Sequence, residues 1–197
     1  MEEALHKEAV SYFFLARWFN GKTSREDLQN YLGFLDKAGF LEDDIFSGFK
    51  SHLESWLNEE NIDTDLPKEY TRLFHLPGGV KPYESVYRSE EVRLMQDPWV
   101  EVKKFYQKRG WQVENAIYPE DHVAVELSFM GHLIAAGEEE DAKTFFRHHI
   151  INWVPDLMRD IINNQNANYY KKVAEFGLFY LKSEDKEYQV SSLNKLK

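Results

Sequence analysis

Residues 69–87 read E-Y-T-R-L-F-H-L-P-G-G-V-K-P-Y-E-S-V-Y, and residues 118–127 read Y-P-E-D-H-V-A-V-E-L. The first piece opens with apolar residues three and four apart, Tyr70, Leu73 and Phe74, and is then broken by Pro77-Gly78-Gly79. The second places Val123 and Leu127 on one stripe, which Met130 and Ile134 continue. That is the spacing of a helix that buries one face. Neither piece shows the strict alternation of a strand. The reading is therefore of helices interrupted by irregular, proline-bearing connections, and the rest of the chain agrees with it.

Toward the N-terminus, residues 2–20 read as a helix with Leu5, Ala9, Tyr12, Phe13 and Ala16 on one side and Gly21 as its stop. Thr23 and Glu26 form a capping-box pattern. The helix that follows carries Leu28, Tyr31, Leu32 and Leu35 and ends at Gly39. Glu42, Asp43 and Asp44 suit the positive end of a third helix, whose face is Ile45, Phe46, Phe49, Leu53, Trp56 and Leu57. Residues 61–66 read as a polar loop, and Pro67 as the first residue of the helix through Phe74.

Toward the C-terminus, residues 76–88 are expected to be irregular, with a short helix near 89–95. Asp97-Pro98 opens a helix presenting Val102, Phe105 and Tyr106 and stopping at Gly110. Residues 111–118 form a second long connection. Pro119 opens the next helix, with Glu120 and Asp121 in its first turn. Glu138 to Asp141 begin another, carrying Ala142, Phe145, Phe146 and His149. A segment from Pro155 carries Met158, Ile161 and Ile162, and residues 163–168 are a polar break. The last helix holds Tyr169, Val173, Phe176 and Tyr180, and from Ser183 the chain is polar and expected to fray. The expectation is an all-α fold: one domain of about nine helices over residues 1–182, and a tail over 183–197.

Composition narrows the function. The 197 residues include no cysteine, which excludes disulfides and thiol catalysis. The net charge of −10 disfavours nucleic acid, whose phosphates need a basic face. It favours a cationic partner or simple solubility. The acidic N-terminus lacks the basic start and unbroken apolar core of a signal peptide. No apolar run approaches the roughly 20 residues of a membrane span. A soluble protein that stays where it is made is expected.

Catalytic motifs are weak. No phosphate-binding spacing surrounds Gly78-Gly79, so a turn needing positive φ is the better reading. Glu3 and His6 give one Glu-x-x-His pair at a helix end, and helical di-iron sites need two. His122 and Glu126 lie four apart on one helix face, as a side-chain pair or as two metal ligands lacking a third. His148 and His149 are adjacent, so their side chains diverge. Ser85 lacks the strand–turn–helix context of a nucleophile elbow. Asp121 with His122 fits a helix N-terminus better than a catalytic base. No cofactor or metal is expected.

Taken together, Y-T-R-L-F, then P-G-G-V-K-P-Y-E-S-V-Y, then P-E-D-H-V-A-V-E-L resemble the TorD/DmsD/NarJ family of cytoplasmic maturation chaperones for molybdenum-cofactor redox enzymes. Three other stretches agree: R-L-M-Q-D-P-W-V-E-V-K-K-F-Y-Q-K-R-G-W, the late F-F-R-H-H-I-I-N-W-V-P-D-L with its H-x-x-x-W-x-P element, and the opening helix ending A-R-W-F. The similarity runs to about Lys182. It implies a TorD/DmsD-like all-helical fold and no enzymatic activity. It implies binding of a twin-arginine signal peptide, or of the catalytic subunit that carries it, until the cofactor is in place. It further implies a cytoplasmic monomer or a helix-exchanged dimer.

By motif match the peptide-binding positions are Tyr70, Leu73, Phe74, Pro82, Tyr83, Glu84, Ser85, Pro119, Asp121, His122 and Glu126. Glu84, Glu120, Asp121 and Glu126 are candidate acceptors for the leader's guanidinium groups. Phe74, Tyr83, Tyr87 and Tyr118 are candidate walls for its apolar middle. Tyr70, Leu73 and Phe74 fit a core equally well, and Asp121 and His122 fit a role in holding the two motifs together. The competing readings are a small metal-dependent hydrolase using His122, Asp121 and Glu126, and a helical subunit of a larger complex.

Overall fold

The computed structural model describes residues 2–37, 44–90, 93–113 and 117–194. Among these the chain is all-α, with no strand. In chain order the helices are α1 (Glu2–Phe19), α2 (Arg25–Lys37), α3 (Asp44–Leu57), α4 (Ile62–Phe74) and α5 (Glu84–Arg88). They continue with α6 (Asp97–Gln107), α7 (Val123–Ala135), α8 (Glu139–Phe145), a π turn (Phe146–Ile150), α9 (Val154–Asn163) and α10 (Tyr169–Asn194). The chain forms two compact units. One is Met1–Asn20 with Lys81–Leu157; the other is Gly21–Val80 with Met158–Lys197.

The first unit is built on α1 against α7. Gly131 sets their separation: a Cβ there would lie 2.8 Å from the Phe13 ring and 3.0 Å from the Ala9 carbonyl oxygen. Tyr12, Leu15 and Phe19 of α1 and Leu127, Phe129 and Met130 of α7 are buried. An aromatic cluster adjoins them. The Tyr106 ring lies 4.3 Å from Phe129 and 4.6 Å from Trp111, and Phe129 lies 4.9 Å from Phe145. Fully burying aromatic and aliphatic side chains of this kind contributes about 1.5–3 kcal/mol apiece.

In the second unit α10 packs on α3 and α4. Phe176 stacks on Phe49 with ring centres 4.7 Å apart, and Phe74 meets Tyr170 edge to face at 5.3 Å. The N-terminus of α10 is capped from another helix. Glu69 of α4 accepts the N–H groups of Asn168 (2.9 Å), Tyr169 (3.1 Å) and Tyr170 (2.7 Å). Three donors that a helix start leaves unpaired are thereby satisfied.

Several elements differ from the sequence expectation. The capping box of α2 is Ser24 with Asp27, not Thr23 with Glu26: Ser24 N–H donates to Asp27 at 2.8 Å and Asp27 N–H to the Ser24 hydroxyl at 3.2 Å. Thr23 is buried instead, its hydroxyl 3.4 Å from that of Tyr170. Helix α4 begins at Ile62, so residues 62–66 are helical and Pro67 lies inside the helix. The missing proline N–H removes one bond, while Asp63 and Asp65 suit the positive helix end. The α7 helix begins at Val123 rather than at Pro119. Residues 84–88 are helical rather than irregular, and α10 runs on to Asn194.

Of the short helix expected near 89–95, residues 91–92 lie outside the described set, and the flanking residues are not helical. Gly39, Glu42 and Asp43 also lie outside it, as do the side chains of Glu3, Leu5, His6, Asp44 and Ile45. The two glycines of P-G-G do different work. Gly78 has φ +80°, a turn conformation that suits glycine. Gly79 is needed for space, since a Cβ there would meet the Leu73 carbonyl oxygen at 2.3 Å. Val80 N–H donates to that same carbonyl at 2.6 Å and folds the segment over the end of α4.

Candidate functional site

The two motifs meet in the first unit through their backbones. Tyr83 and His122 form an isolated antiparallel bridge. Glu84 N–H donates to the Asp121 carbonyl at 2.9 Å, and Val123 N–H donates to the Pro82 carbonyl at 3.0 Å. The bridge holds His122 extended, at φ −79° and ψ 139°, which is why α7 starts after it. His122 N–H donates to the Pro119 carbonyl at 3.1 Å, and its Nδ1 accepts Ala124 N–H at 3.2 Å as the helix cap. The imidazole lies flat on Tyr118, with ring centres 3.9 Å apart, and meets the Tyr83 ring edge to face at 5.0 Å.

Beneath the bridge the polar side chains serve one another. Glu84, Ser85, Asp121, His122 and Glu126 are buried. Asp121 accepts Ser85 N–H at 3.1 Å and also the Ser85 hydroxyl. That hydroxyl in turn accepts Gln96 N–H at 3.2 Å, which anchors the segment leading into α6. Glu84 is paired with Arg88, four residues on, and with His149 Nδ1 at 3.1 Å. Arg88 also donates to the His148 carbonyl at 3.1 Å and lies 3.6 Å from Glu101. Trp153 Nε1–H donates to Glu126 at 2.9 Å.

Burial dominates the electrostatics here. It pushes the Glu126 carboxyl well above the usual range, and the neighbouring Glu84 charge pushes the same way against the bond from Trp153. It raises Asp121 as well, opposed by the two bonds from Ser85. The Tyr83 phenol is raised by burial, then by Tyr118 and Asp121. At the edge of the cluster, Glu120 is half-exposed. Partial burial works against its charge, but Trp99 Nε1–H at 2.6 Å and Lys103 at 3.0 Å outweigh it and hold the carboxyl below its ordinary range.

The structure thus brings together Pro82, Tyr83, Glu84, Ser85, Pro119, Asp121, His122 and Glu126. Tyr70, Leu73 and Phe74 belong to the second unit and are core residues there; Tyr70 lies 5.1 Å from Phe74 and 5.9 Å from Tyr170. The Glu84 carboxylate and one Asp121 oxygen, candidate guanidinium acceptors, sit below the surface with donors from their own chain, while Asp121 Oδ1 and Glu126 Oε1 are buried without a hydrogen-bond partner. His122 spends Nδ1 on a helix cap, and the described residues hold no group of three His, Asp or Glu side chains placed for a metal.

Sequence reasoning left His149 and Trp153 out of the site. Their signal was present in the H-x-x-x-W spacing: the π turn carries His149 to Glu84, and Trp153, four residues on, reaches Glu126. Outward from the cluster, Tyr83, Tyr87, Trp99 and Tyr118 are half-buried, and Leu94, Met95 and Ile117 are exposed. Met95 has φ +57°, rare for a side chain of its size.

Comparison with known proteins places the chain. Residues 42–159 match the family described as nitrate reductase delta subunit. The chaperone protein TorD of Vibrio parahaemolyticus is 27% identical over 199 residues, covering 89% of this chain and 92% of that protein. TorD of Vibrio vulnificus is 24% identical over 185 residues, covering 83% and 86%. A crystal structure described as a redox enzyme maturation protein from Archaeoglobus fulgidus shares the fold, with a TM-score of 0.61, 19% identity and coverage of 92% and 94%. The two Vibrio relatives are named as chaperones, and this chain belongs to the nitrate reductase delta subunit family of redox enzyme maturation chaperones.

Proposed function

We propose that this protein binds the twin-arginine signal peptide of a molybdenum-cofactor oxidoreductase, or the catalytic subunit bearing it, in the cytoplasm, and delays export or assembly until the cofactor is inserted. The observation that carries the reading is the division of the site into a closed polar interior and an apolar, aromatic exterior. The carboxylates of P-Y-E-S and P-E-D-H are engaged within the fold. Tyr83, Tyr87, Trp99 and Tyr118 remain half-buried around them, with Leu94, Met95 and Ile117 exposed. An apolar leader segment has something to lie on there, and exposed apolar groups of this kind mark interaction surfaces. The net charge of −10 speeds encounter with the leader's basic start, and added salt weakens that encounter. No described helix is long and apolar enough to cross a membrane.

The test is a calorimetric titration with leader peptides encoded near this gene. Binding is expected to weaken when the arginines are made neutral, when salt is raised, and when Leu94 and Met95 are changed to Ser. Undiminished binding in the Leu94→Ser, Met95→Ser double variant removes the exposed pair from the site. Failure to bind any leader, with binding to a mature catalytic subunit intact, moves recognition to the folded client.

A further inference from the structure

The chain holds four methionines and no cysteine, so an oxidant that seeks sulfur meets thioethers and no thiol. Met1 lies outside the described residues. Met130 on α7 and Met158 on α9 are sealed in the core at 0% exposure, whereas Met95 is 54% exposed. Among the described methionines the fold presents this one to solvent. Its backbone is held on both sides. Gln96 N–H donates to the buried Ser85 hydroxyl at 3.2 Å, and the Gln96 side-chain amide donates to the Leu94 carbonyl at 3.0 Å. Both peptide units that flank Met95 are therefore hydrogen-bonded, and between them it takes φ +57°. Leu94, also exposed, stands next to it. A thioether fixed there is available to a partner's apolar segment and to a dissolved oxidant alike.

We infer that Met95 is a reversible oxidation site whose sulfoxide turns the docking surface off, an inference that rests on the reading of that surface given above. The oxidant is a peroxide. The sulfur lone pair attacks one peroxide oxygen, the O–O bond breaks, and the other oxygen leaves as water or an alcohol once protonated. The sulfur loses two electrons and gains one S–O bond. A flexible apolar end thereby becomes a strongly polar group. Covered by an apolar leader segment, that group lacks the hydrogen bonds water gave it, and affinity falls. A methionine sulfoxide reductase working with a thiol reductant removes the oxygen as water, two thiols becoming one disulfide, and restores the thioether.

Dilute hydrogen peroxide on the folded protein, followed by peptide mapping in a mass spectrometer, reads the site. A gain of one oxygen is expected at Met95 before any at Met130 or Met158. Calorimetric titration with a leader that binds the untreated protein reads the effect. Binding is expected to weaken about tenfold after oxidation, the cost of one covered polar group without a partner, and to recover after treatment with the reductase. Met95→Gln, polar from the start, is expected to bind as the oxidised protein does. Met95→Leu is expected to show one affinity before and after peroxide. Oxidation of Met130 or Met158 ahead of Met95 overturns the site. Unchanged affinity in protein oxidised at Met95, or peroxide sensitivity that survives in Met95→Leu, overturns the switch. Failure of the untreated protein to bind any leader overturns the docking reading and the switch with it, while the mapping still decides the site.

Discussion

Replacing Asp121 with Ala separates a scaffold from a contact. In the folded protein one Asp121 oxygen accepts both the N–H and the hydroxyl of Ser85, at a site where both residues are fully buried. The alanine strands the Ser85 N–H, which cannot rotate to another acceptor, and frees a hydroxyl that can. A stranded buried donor costs about 1–3 kcal/mol, and the lost bond to a charged acceptor about 1.5–3. Against this stands the desolvation of the carboxylate itself, which its raised pKa reports and which the substitution relieves. The expected net loss is about 2–4 kcal/mol, a large part of the roughly 5–15 kcal/mol that hold a domain together. Urea unfolding followed by far-ultraviolet circular dichroism measures it. A double-mutant cycle with Ser85→Ala should return a coupling of about 1–2 kcal/mol, because the two changes remove the same bond. A loss below about 0.5 kcal/mol in Asp121→Ala, together with collapse of leader binding, would falsify the scaffold reading and make this carboxylate a direct contact.

Three further changes test other parts of the fold. Gly79→Ala drives a methyl against the Leu73 carbonyl and is expected to cost about 3 kcal/mol in urea unfolding. Gly78→Ala, strained only in φ, costs about 1–2, and the reverse order refutes the close-approach account of Gly79. Glu69→Ala leaves three N–H groups at the start of α10 without their acceptor, with an expected loss of about 2–3 kcal/mol and faster hydrogen exchange at Tyr169 and Tyr170. Glu126→Gln tests pH dependence. Because the folded pKa of Glu126 is raised, its contribution is fully present below the unfolded value of about 4.3 and is lost as pH rises through the folded value. Glutamine keeps an oxygen for Trp153 without that loss. The variant should gain on the parent as pH rises from about 4 to 8, and a difference independent of pH would show that Glu126 does not titrate there.

The helices were legible because each buries one face, and the spacing of Val123, Leu127, Met130 and Ile134 records that directly. Boundaries were legible only where the end is made locally. The α2 cap was misplaced by one residue because T-S-R-E-D offers two overlapping boxes, and Thr23 is drawn into the core beside Tyr170. The start of α7 was misplaced because a bridge to Tyr83, far along the chain, decides it. The candidate site was legible as two motifs. Its third component was not, because His149 and Trp153 acquire partners only when the π turn packs against α5 and α7. Glu69 likewise looks like an ordinary helix carboxylate until the N–H groups of residues 168–170 arrive beside it.

A group of buried carboxylates with perturbed pKa values ordinarily suggests catalysis, and here the hydrogen bonds argue otherwise. A general base or nucleophile needs an accessible atom and a partner that will release it. Each carboxylate of this cluster instead answers a donor of its own chain: Asp121 the residue after Glu84, Glu84 the Arg88 and His149 that follow it, Glu126 the indole of Trp153. Asp121 Oδ1 and Glu126 Oε1 take no donor, but the bonds that are made tie together the segments that carry them. The residues tied in this way are 82–85 and Gln96 before α6 and 119–124 after it. Through Gln96 N–H on the Ser85 hydroxyl, the cluster also sets the segment where Met95 takes its rare φ and turns outward beside Leu94. Backbone strain persists where the surroundings over-determine it, and it gathers at sites of function. The buried acids therefore matter to recognition at one remove. They hold the backbone at Ser85, Gln96 and His122, next to which Leu94, Met95 and Tyr118 present the apolar surface.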